Sequence, residues 1–207
     1  MQKRYFITGI DTDVGKTIAS AIVVESLHAD YWKPIQAGDL HYSDTDKVKK
    51  LVSNDNSVFH KNTYALNHPE SPHSAAKKDG VTINLKKISH PKTDNHLIIE
   101  GAGGLLVPLN NKNTIIDLIE PSDKVIIVSR HYLGSINHTL LTIEALKSRG
   151  LTIAGIIFNG EEHPSTESII TKMSGLNVIG RIDPEPYFDQ TVVREYADRF
   201  RENLLAL

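Results

Sequence analysis

The 207 residues of this chain are enough for one substantial hydrophobic core but too few for two ordinary domains joined by a linker. Hydrophobic residues make up 40% and charged residues 23%, and the formal net charge of -2 leaves no broad basic field for a nucleic-acid backbone. The absence of cysteine excludes disulfides, thiolate metal sites, iron–sulfur clusters and cysteine nucleophiles. We therefore expect a single domain over residues 1–207 that does not bind nucleic acid.

Hydrophobic runs in this sequence are short. None approaches the length that is needed to cross a bilayer. The first of them, Tyr5 to Ile7, is also too short for the core of a signal peptide. We expect a cytoplasmic protein that has no membrane partner.

The first chemically distinctive segment runs from Arg4 to Ser20 and reads RYFITGIDTDVGKTIAS. An apolar run, a turn bounded by glycines and an apolar-periodic stretch predict a strand, a phosphate-binding loop and a helix. In such a loop the helix N-terminus attracts anions, Lys16 bridges the outer phosphates and the Thr17 hydroxyl ligates Mg²⁺. Five residues separate Gly9 from Gly15, so the loop is one residue longer than in the common motif.

Downstream of this loop, apolar runs typical of buried strands alternate with apolar-periodic segments typical of helices. In the first half of the chain we predict a helix over Thr17 to His28, a strand over Tyr31 to Ile35 with an exit turn at Gln36 to Gly38, a helix over Lys47 to Val52, a loop over Ser53 to Thr63 and a helix from Ser71. In the middle we predict a strand over His96 to Glu100, a short helix over Thr114 to Ile119, a strand over Val125 to Ser129 and a helix over Ile136 to Ser148. The last predicted elements are a strand over Ile153 to Phe158, a helix over Ser165 to Met173, a strand at Val178 and Ile179, and a helix over Asp189 to Leu205. Because the strands are continuously apolar, they indicate a parallel sheet that is covered on both faces. The sequence predicts a doubly wound α/β fold of the P-loop type.

The polar residues that stand out follow the predicted strands. They are the loop from Gly9 to Thr17, Lys33, Glu100 with its glycines, Ser129 with Arg130, and Asn159. Ligands of doubly wound sheets bind outside the carboxyl ends of the strands. We therefore expect five strand ends to meet at one edge and to form one site.

Two acids are candidates for a magnesium site beside the Thr17 hydroxyl. Glu100 ends a predicted strand, from which a carboxylate can reach Mg²⁺ directly or through water. The second acid is Asp44 or Asp46, and either Ser43 or Asp44 suits the N-cap of the helix that follows. These residues predict phosphoryl transfer by positioning and charge, and they leave the acceptor open.

Five segments taken together resemble the dethiobiotin synthetase family. They are Thr8 to Thr17, Lys33 to Gly38, Ser71 to His73, Glu100 to Gly104 with Val107 to Leu109, and Leu133 to Thr142. The resemblance extends from residue 4 to about residue 185 and includes the lengthened phosphate loop. It implies a homodimeric enzyme of biotin synthesis that uses ATP and Mg²⁺ to convert 7,8-diaminopelargonate and CO₂ into dethiobiotin.

The resemblance also implies a role for individual residues. Lys33 would be the catalytic residue and would act with Lys16 on the carbamate and the transferring phosphoryl group. The implied ligands of Mg²⁺ are Thr17, Asp44 and Glu100. The implied nucleotide-binding residues are Asp13, Val14, Gly15, Lys16, Thr17, Asp44, Glu100, Gly101, Ala102, Gly103, Asn159, Gly160, Asp183, Pro184 and Glu185. The implied substrate-binding residues are Ala37 and, across the dimer interface, Gly134, Ser135, Ile136 and Asn137.

A second family type also resembles this fold and loop, namely the nucleotide-switch ATPases of the partitioning and septum-positioning type. Those proteins usually carry an extra lysine early in the phosphate loop, where this chain has Asp11. Their DNA-binding members also add basic surface. This alternative predicts ATP turnover that responds to a macromolecule and ignores the diamine.

Overall fold

The computed structural model describes residues 2–207, and this part of the chain contains nine strands and six α-helices. The strands are β1 (Arg4–Gly9), β2 (Asp30–Trp32), β3 (Ile35–Ala37), β4 (Phe59–His60), β5 (Tyr64–Leu66), β6 (Leu97–Gly104), β7 (Lys124–Arg130), β8 (Thr152–Asn159) and β9 (Val178–Ile182). The helices are α1 (Lys16–Leu27), α2 (Asp44–Leu51), α3 (Pro72–Lys78), α4 (Ser135–Ser148), α5 (Pro164–Ser174) and α6 (Gln190–Leu205). Two short 3-10 helices cover Leu85–Lys87 and Ile115–Leu118.

Seven of the strands form one sheet in the order β4-β2-β6-β1-β7-β8-β9, and all neighbouring pairs are parallel. The chain leaves β1 toward β2 through α1 and leaves β7 toward β8 through α4, in opposite directions along the sheet. Right-handed crossovers in opposite directions place these two helices on opposite faces. The predicted doubly wound α/β fold is confirmed.

The central strands carry the core. Val125, Ile126, Ile127 and Val128 of β7 are all fully buried, as are Phe6 and Ile7 of β1. Helices α1 and α6 pack against each other, and α4 packs against α5. A strand that is covered on both faces needs apolar side chains at every position, which explains why these runs do not alternate with polar residues. Among the helices of residues 2–207, none has the combined length and apolarity that a bilayer span requires.

The structure corrects the predicted strand over Tyr31 to Ile35. That segment breaks at Lys33 and Pro34 because proline has no N–H to donate and restricts the backbone of the residue before it. Strand β2 stays in the main sheet, whereas β3 pairs with β5 in a separate two-stranded sheet. The predicted exit turn at Gln36 and Ala37 is therefore wrong, because both residues lie in β3.

Two further corrections concern short or glycine-rich strands. The predicted loop over Ser53 to Thr63 contains the two-residue strand β4, which pairs with the edge of β2. The predicted strand that ended at Glu100 continues to Gly104 in β6. Gly104 lies beside Gly9 of β1, so two residues without side chains allow the strands to remain close at the phosphate loop.

Candidate active site

The phosphate loop joins β1 to α1, as predicted. Gly15 is the N-cap of α1 and has a left-handed backbone with φ of +92°. A Cβ atom at this position would lie only 2.2 Å from the Asn159 side-chain nitrogen, so glycine is required for space as well as for conformation. That nitrogen donates a hydrogen bond of 2.9 Å to the carbonyl oxygen of Val14. Asn159, at the end of β8, therefore holds the loop from a strand end two positions away in the sheet.

Lys16 lies at the start of α1 and is almost fully buried. Its Nζ donates to the backbone carbonyl oxygen of Asp11 at 2.9 Å, which ties the helix start to the top of the loop. Burial lowers the pKa of Lys16 to about 8, and the charge of Lys33 acts in the same direction, whereas Glu100 opposes the shift. The ammonium is thus held in a poorly solvated position beside the loop, where an anion would favour its charged form.

Lys33 connects two carboxylates below the loop. Its Nζ lies 2.8 Å from Asp44 Oδ2 and 2.9 Å from Glu100 Oε1, and the Thr17 hydroxyl donates to the same Glu100 oxygen at 3.1 Å. Lys33 is 4% exposed and Glu100 is 1% exposed. We call Thr17, Lys33, Asp44 and Glu100 the cation cluster. All four of these residues were predicted as site residues, and the structure brings them together.

Burial and charge act in opposite directions within the cation cluster. Burial by itself would lower the pKa of Lys33, but attraction by Glu100 and Asp44 outweighs it and the pKa is raised. Burial would likewise raise the pKa of Asp44, but the neighbouring Lys33 outweighs it and the pKa is lowered. The lysine and Asp44 therefore stabilise each other in their charged forms.

The sheet register explains how Lys33 and Glu100 meet. Tyr31 of β2 pairs with Ile98 of β6. Side chains alternate between the two faces of a strand, so Lys33, two residues after Tyr31, and Glu100, two residues after Ile98, are directed to the same face at neighbouring strand ends. Lys33 thus lies at the carboxyl end of its strand, as predicted.

The cap of α2 distinguishes Asp44 from Asp46. Ser43 is the N-cap, and its side chain and that of Asp46 form a capping box in which Asp46 accepts from the Ser43 backbone N–H at 2.8 Å. Asp46 is therefore engaged in starting the helix. Asp44 instead faces the cleft and also accepts from Lys47 Nζ at 3.1 Å. Of the two acids, Asp44 is the one that joins the cation cluster.

An open cleft of about 1420 Å³ lies in front of the cation cluster. Predicted residues that line it are Asp13, Gly15, Lys16, Thr17, Lys33, Ala37, Asp44, Glu100, Ala102 and Gly103. Other parts of its wall were not predicted as site residues, and they include Gln36, Asp39, Tyr42, Lys47, Lys50 and the segment Phe188 to Thr191. Lys47 follows Asp44 by one helical turn, a spacing that could have identified it, whereas the Phe188 segment carries no distinctive motif.

The predicted residues Asn159, Gly160 and Asp183 to Glu185 do not line this cleft. They lie together at the carboxyl ends of β8 and β9, where the Gly160 N–H donates to the Ile182 carbonyl at 2.9 Å. The Tyr196 hydroxyl of α6 donates to Glu185 at 2.7 Å and accepts from the Asp183 N–H at 3.0 Å. Burial and then Glu185 raise the pKa of Tyr196 to about 12. Asn159 alone among them contacts the phosphate loop directly, through Val14 and Gly15.

The predicted segment Gly134 to Asn137 opens α4 and also lies outside the cleft of its own chain. Gly134 has a left-handed backbone with φ of +105° and serves as the N-cap. Leu133 beside it is fully exposed, and Leu141 further along the helix is 58% exposed. The start of α4 is therefore an apolar surface rather than part of the site within one chain.

The chain is similar to known proteins over almost its whole length. The model of a family described as "AAA domain" matches residues 3–192. A protein of Christiangramia forsetii named ATP-dependent dethiobiotin synthetase BioD is 65% identical over 204 residues, which cover 99% of each chain. A protein of the same name from Cytophaga hutchinsonii is 48% identical and covers 97% of this chain and 98% of its own.

Solved structures that resemble this chain have much lower identity. The cell division ATPase MinD of Pyrococcus furiosus matches with a TM-score of 0.61 and 13% identity, covering 98% of this chain and 99% of its own. The pNOB8 ParA protein bound to nonspecific DNA also has a TM-score of 0.61, with 11% identity, covering 100% of this chain and 99% of its own. At such identities the likeness shows a shared P-loop fold alone. The relatives that match from end to end at 48% and 65% identity show more, and the chain belongs to the dethiobiotin synthetase family.

Proposed function

We propose that this chain catalyses the ATP-dependent carboxylation of 7,8-diaminopelargonate with CO₂ and the ring closure that yields dethiobiotin, ADP and phosphate. The relatives' shared name indicates this reaction. The observation that carries the proposal within the chain is the contact of Lys33 with both Asp44 and Glu100 below the phosphate loop. Such a cluster supplies the fixed charges that phosphoryl transfer needs.

The chemistry requires little covalent participation by the protein. The nitrogen lone pair of one substrate amine attacks CO₂ and, after loss of a proton, gives a carbamate. A carbamate oxygen attacks the γ-phosphorus and ADP leaves, which forms a carbamic–phosphoric anhydride. The second amine then attacks the carbonyl carbon and expels phosphate, which closes the ring. Negative charge on oxygen atoms is redistributed in each step, so positioned cations stabilise the transition states.

Lys16 and Lys33 provide these cations. Lys16 begins α1 beside the phosphate loop, so we assign it to the outer phosphates and the transferring group. Lys33 follows β2, which β6 separates from β1, and it lies in the cleft wall. We assign it to the carbamate and the same transferring group. Both are held in poorly solvated positions, where a charge interacts more strongly than it does in water.

The proposed cofactors are ATP and Mg²⁺, and the residues present suit both. Mg²⁺ prefers oxygen ligands, typically one or two carboxylates together with substrate phosphates. Thr17, Asp44 and Glu100 offer a hydroxyl and two carboxylates, and the two carboxylates already converge on a single cation, the Lys33 ammonium. When bound, Mg²⁺ would neutralise developing charge on the phosphates. The phosphate loop and the glycine-rich end of β6 would line the triphosphate.

We also propose that the enzyme is a homodimer whose partner chain completes the substrate site. The segment Gly134 to Asn137 starts a 14-residue helix, and the backbone N–H groups of Ile136 and Asn137 are unpaired within residues 2–207, whereas that of Ser135 donates to the Tyr132 carbonyl. Such groups suit the carboxylate of the diamine substrate. The segment does not line the cleft of its own chain, and Leu133 and Leu141 beside it are exposed as expected of an interface.

The decisive experiment measures phosphate release from Mg·ATP in bicarbonate buffer, with and without 7,8-diaminopelargonate, together with mass detection of the product. We expect release to depend on the diamine and the product mass to equal diamine plus CO₂ minus water. Release that ignores the diamine and responds to a macromolecule would overturn the proposal in favour of a nucleotide switch. The fold alone would accommodate that alternative, since the switch ATPases share it.

A further inference from the structure

The two oxygens of the Glu100 carboxylate have different partners. Oε1 accepts from the Thr17 hydroxyl at 3.1 Å and lies 2.9 Å from Lys33 Nζ, so it faces the cleft. Oε2 accepts a hydrogen bond of 2.9 Å from the Tyr31 hydroxyl. Tyr31 is 0% exposed and does not line the cleft, so it cannot touch nucleotide or substrate. The hydrogen bond to Glu100 is therefore the side-chain contact that links Tyr31 to the cleft.

The contact is fixed by the sheet and by packing around the tyrosine ring. Tyr31 pairs with Ile98 on the neighbouring strand, and Glu100 is the next residue of β6 on the same face. Such a diagonal pair lies within reach of an aromatic side chain. The Tyr31 ring also packs against Phe59 of β4, with the ring centroids 6.2 Å apart. The hydroxyl is consequently held at one place beside Glu100.

We propose that Tyr31 is a positioning residue that sets the rotation of the Glu100 carboxylate and so presents Oε1 to the metal position beside Thr17. The terminal torsion of a glutamate is soft, and without a partner for Oε2 the carboxylate can turn away from Thr17. This inference depends on the magnesium site of the proposed function. Residues that orient metal ligands typically change metal affinity by about 10-fold to 100-fold when they are replaced.

The test replaces the hydroxyl alone and measures metal binding without turnover. Mn²⁺ substitutes for Mg²⁺, and electron paramagnetic resonance counts free Mn²⁺ in the presence of saturating ADP. We expect Tyr31→Phe to raise the Kd for Mn²⁺ by about 10-fold or more while the metal-free affinity for ADP is unchanged. Tyr5→Phe is the matched control, because Tyr5 is a buried tyrosine that flanks Ile98 from β1 and is not a donor to Glu100.

A double-mutant cycle separates this role from a general packing defect. In a Glu100→Gln background the carboxylate is gone, so adding Tyr31→Phe should change the Kd for Mn²⁺ by less than about twofold. Equal Mn²⁺ affinity of Tyr31→Phe and Tyr5→Phe would overturn the proposed role of Tyr31 while leaving the metal site in place. So would an effect of Tyr31→Phe that persists undiminished in Glu100→Gln. If the ADP complex of the unmutated protein did not bind Mn²⁺, the metal site and this inference would fail together.

Discussion

The Lys33 ammonium lies 2.9 Å from Glu100 Oε1, the same oxygen that accepts from the Thr17 hydroxyl. Its other close carboxylate is Asp44 at 2.8 Å. The atoms that hold the lysine are thus the atoms we assign to Mg²⁺. A divalent metal and the ammonium would repel each other at this range and would compete for the same oxygens. Metal binding should therefore displace Lys33 toward the cleft, where the carbamate is proposed to form.

Replacement of Lys33 tests this relationship. We expect Lys33→Ala to reduce dethiobiotin formation by at least about 100-fold, as is typical when a charge-stabilising group is lost from an active site. The same variant should bind Mn²⁺ in the ADP complex at least as tightly as the unmutated protein, because the competing ammonium is gone. Product mass detection gives the first quantity and electron paramagnetic resonance gives the second. The exposed Lys92 supplies a matched control as Lys92→Ala.

The catalytic role of Lys33 and its competition with the metal are tested independently. Turnover of Lys33→Ala at the original rate would remove Lys33 from the catalytic residues. Weaker Mn²⁺ binding in a variant with unchanged circular dichroism would instead show that the lysine and the metal do not compete.

The pH dependence of nucleotide binding should report Lys16. Burial lowers its pKa to about 8 from an ordinary value of 10.5, so the nucleotide-free protein releases this proton unusually early. The triphosphate favours the ammonium form, and binding above about pH 8 must therefore take up a proton. Calorimetry at pH 9 in buffers of different ionisation enthalpy should show an uptake of about one proton. Uptake should vanish near pH 7 and in Lys16→Gln, and an equal uptake in that variant would contradict the assignment.

The lowered pKa of Lys16 also makes the free energy of unfolding depend on pH. In the unfolded chain Lys16 keeps its proton up to its ordinary pKa of 10.5, whereas in the folded protein it loses the proton near 8. Between these values the unfolded state binds more protons. The contribution of Lys16 to the free energy of unfolding therefore rises with pH across this window, and it is unfavourable below it. A comparison of Lys16→Gln with the unmutated protein in urea at pH 7 and pH 10 measures the difference.

Much of the site followed from local sequence patterns. The loop before Thr17, the strand end at Lys33 and the strand end at Glu100 were predicted because an apolar run followed by a polar or glycine residue marks the carboxyl edge of a parallel sheet. The sequence did not predict the order of the strands, and the structure places β2, β6 and β1 side by side, which brings these three points together. The choice of Asp44 over Asp46 did not follow from such local patterns, since both acids suit the first turn of a helix. The family resemblance implied Asp44, and the capping geometry engages Asp46 in the cap of α2.

Other features had no local signal. Strands β4 and β5 have two and three residues, too few for any periodicity to appear. The cleft wall at Phe188 depends on how the segment before α6 packs across the molecule, which is a long-range property. Tyr31 looked like one more buried strand residue, and only the pairing of β2 with β6 shows that its hydroxyl meets Glu100.

The proposed dimer predicts that the exposed apolar start of α4 is buried in the assembly. Leu133→Glu would place a charge there, and we expect the protein to become monomeric, as judged by size-exclusion chromatography with light scattering. Affinity for ADP should change by less than about threefold, because the phosphate loop lies within one chain, whereas turnover of the diamine should fall at least about tenfold. Met173→Glu makes the same kind of change on the exposed face of α5 and should leave the dimer intact. A dimeric, fully active Leu133→Glu protein would contradict this interface.

The contact between Asn159 and the phosphate loop leaves no room for a side chain at Gly15. Gly15→Ala would combine a left-handed backbone, which costs about 1–2 kcal/mol for a residue with a side chain, with a Cβ atom 2.2 Å from the Asn159 side chain. The loop must shift to relieve this contact, so we expect ATP affinity to fall by at least about tenfold. Gly150→Ala is the matched control, because it has a φ of +67° and no atom within 4 Å of the added carbon.

The two alanine variants share the backbone strain and differ in the contact. The shared backbone strain should cost each about 1–2 kcal/mol in the free energy of unfolding, measured in urea. Gly15→Ala should lose more than Gly150→Ala because of the added contact, and it alone should lose nucleotide affinity by calorimetry. Shortening the side chain with Asn159→Ala should recover part of that affinity in the Gly15→Ala background, since the clashing side chain is removed. If Asn159→Ala weakened both backgrounds equally, the asparagine would act on the nucleotide independently of Gly15 rather than through the loop.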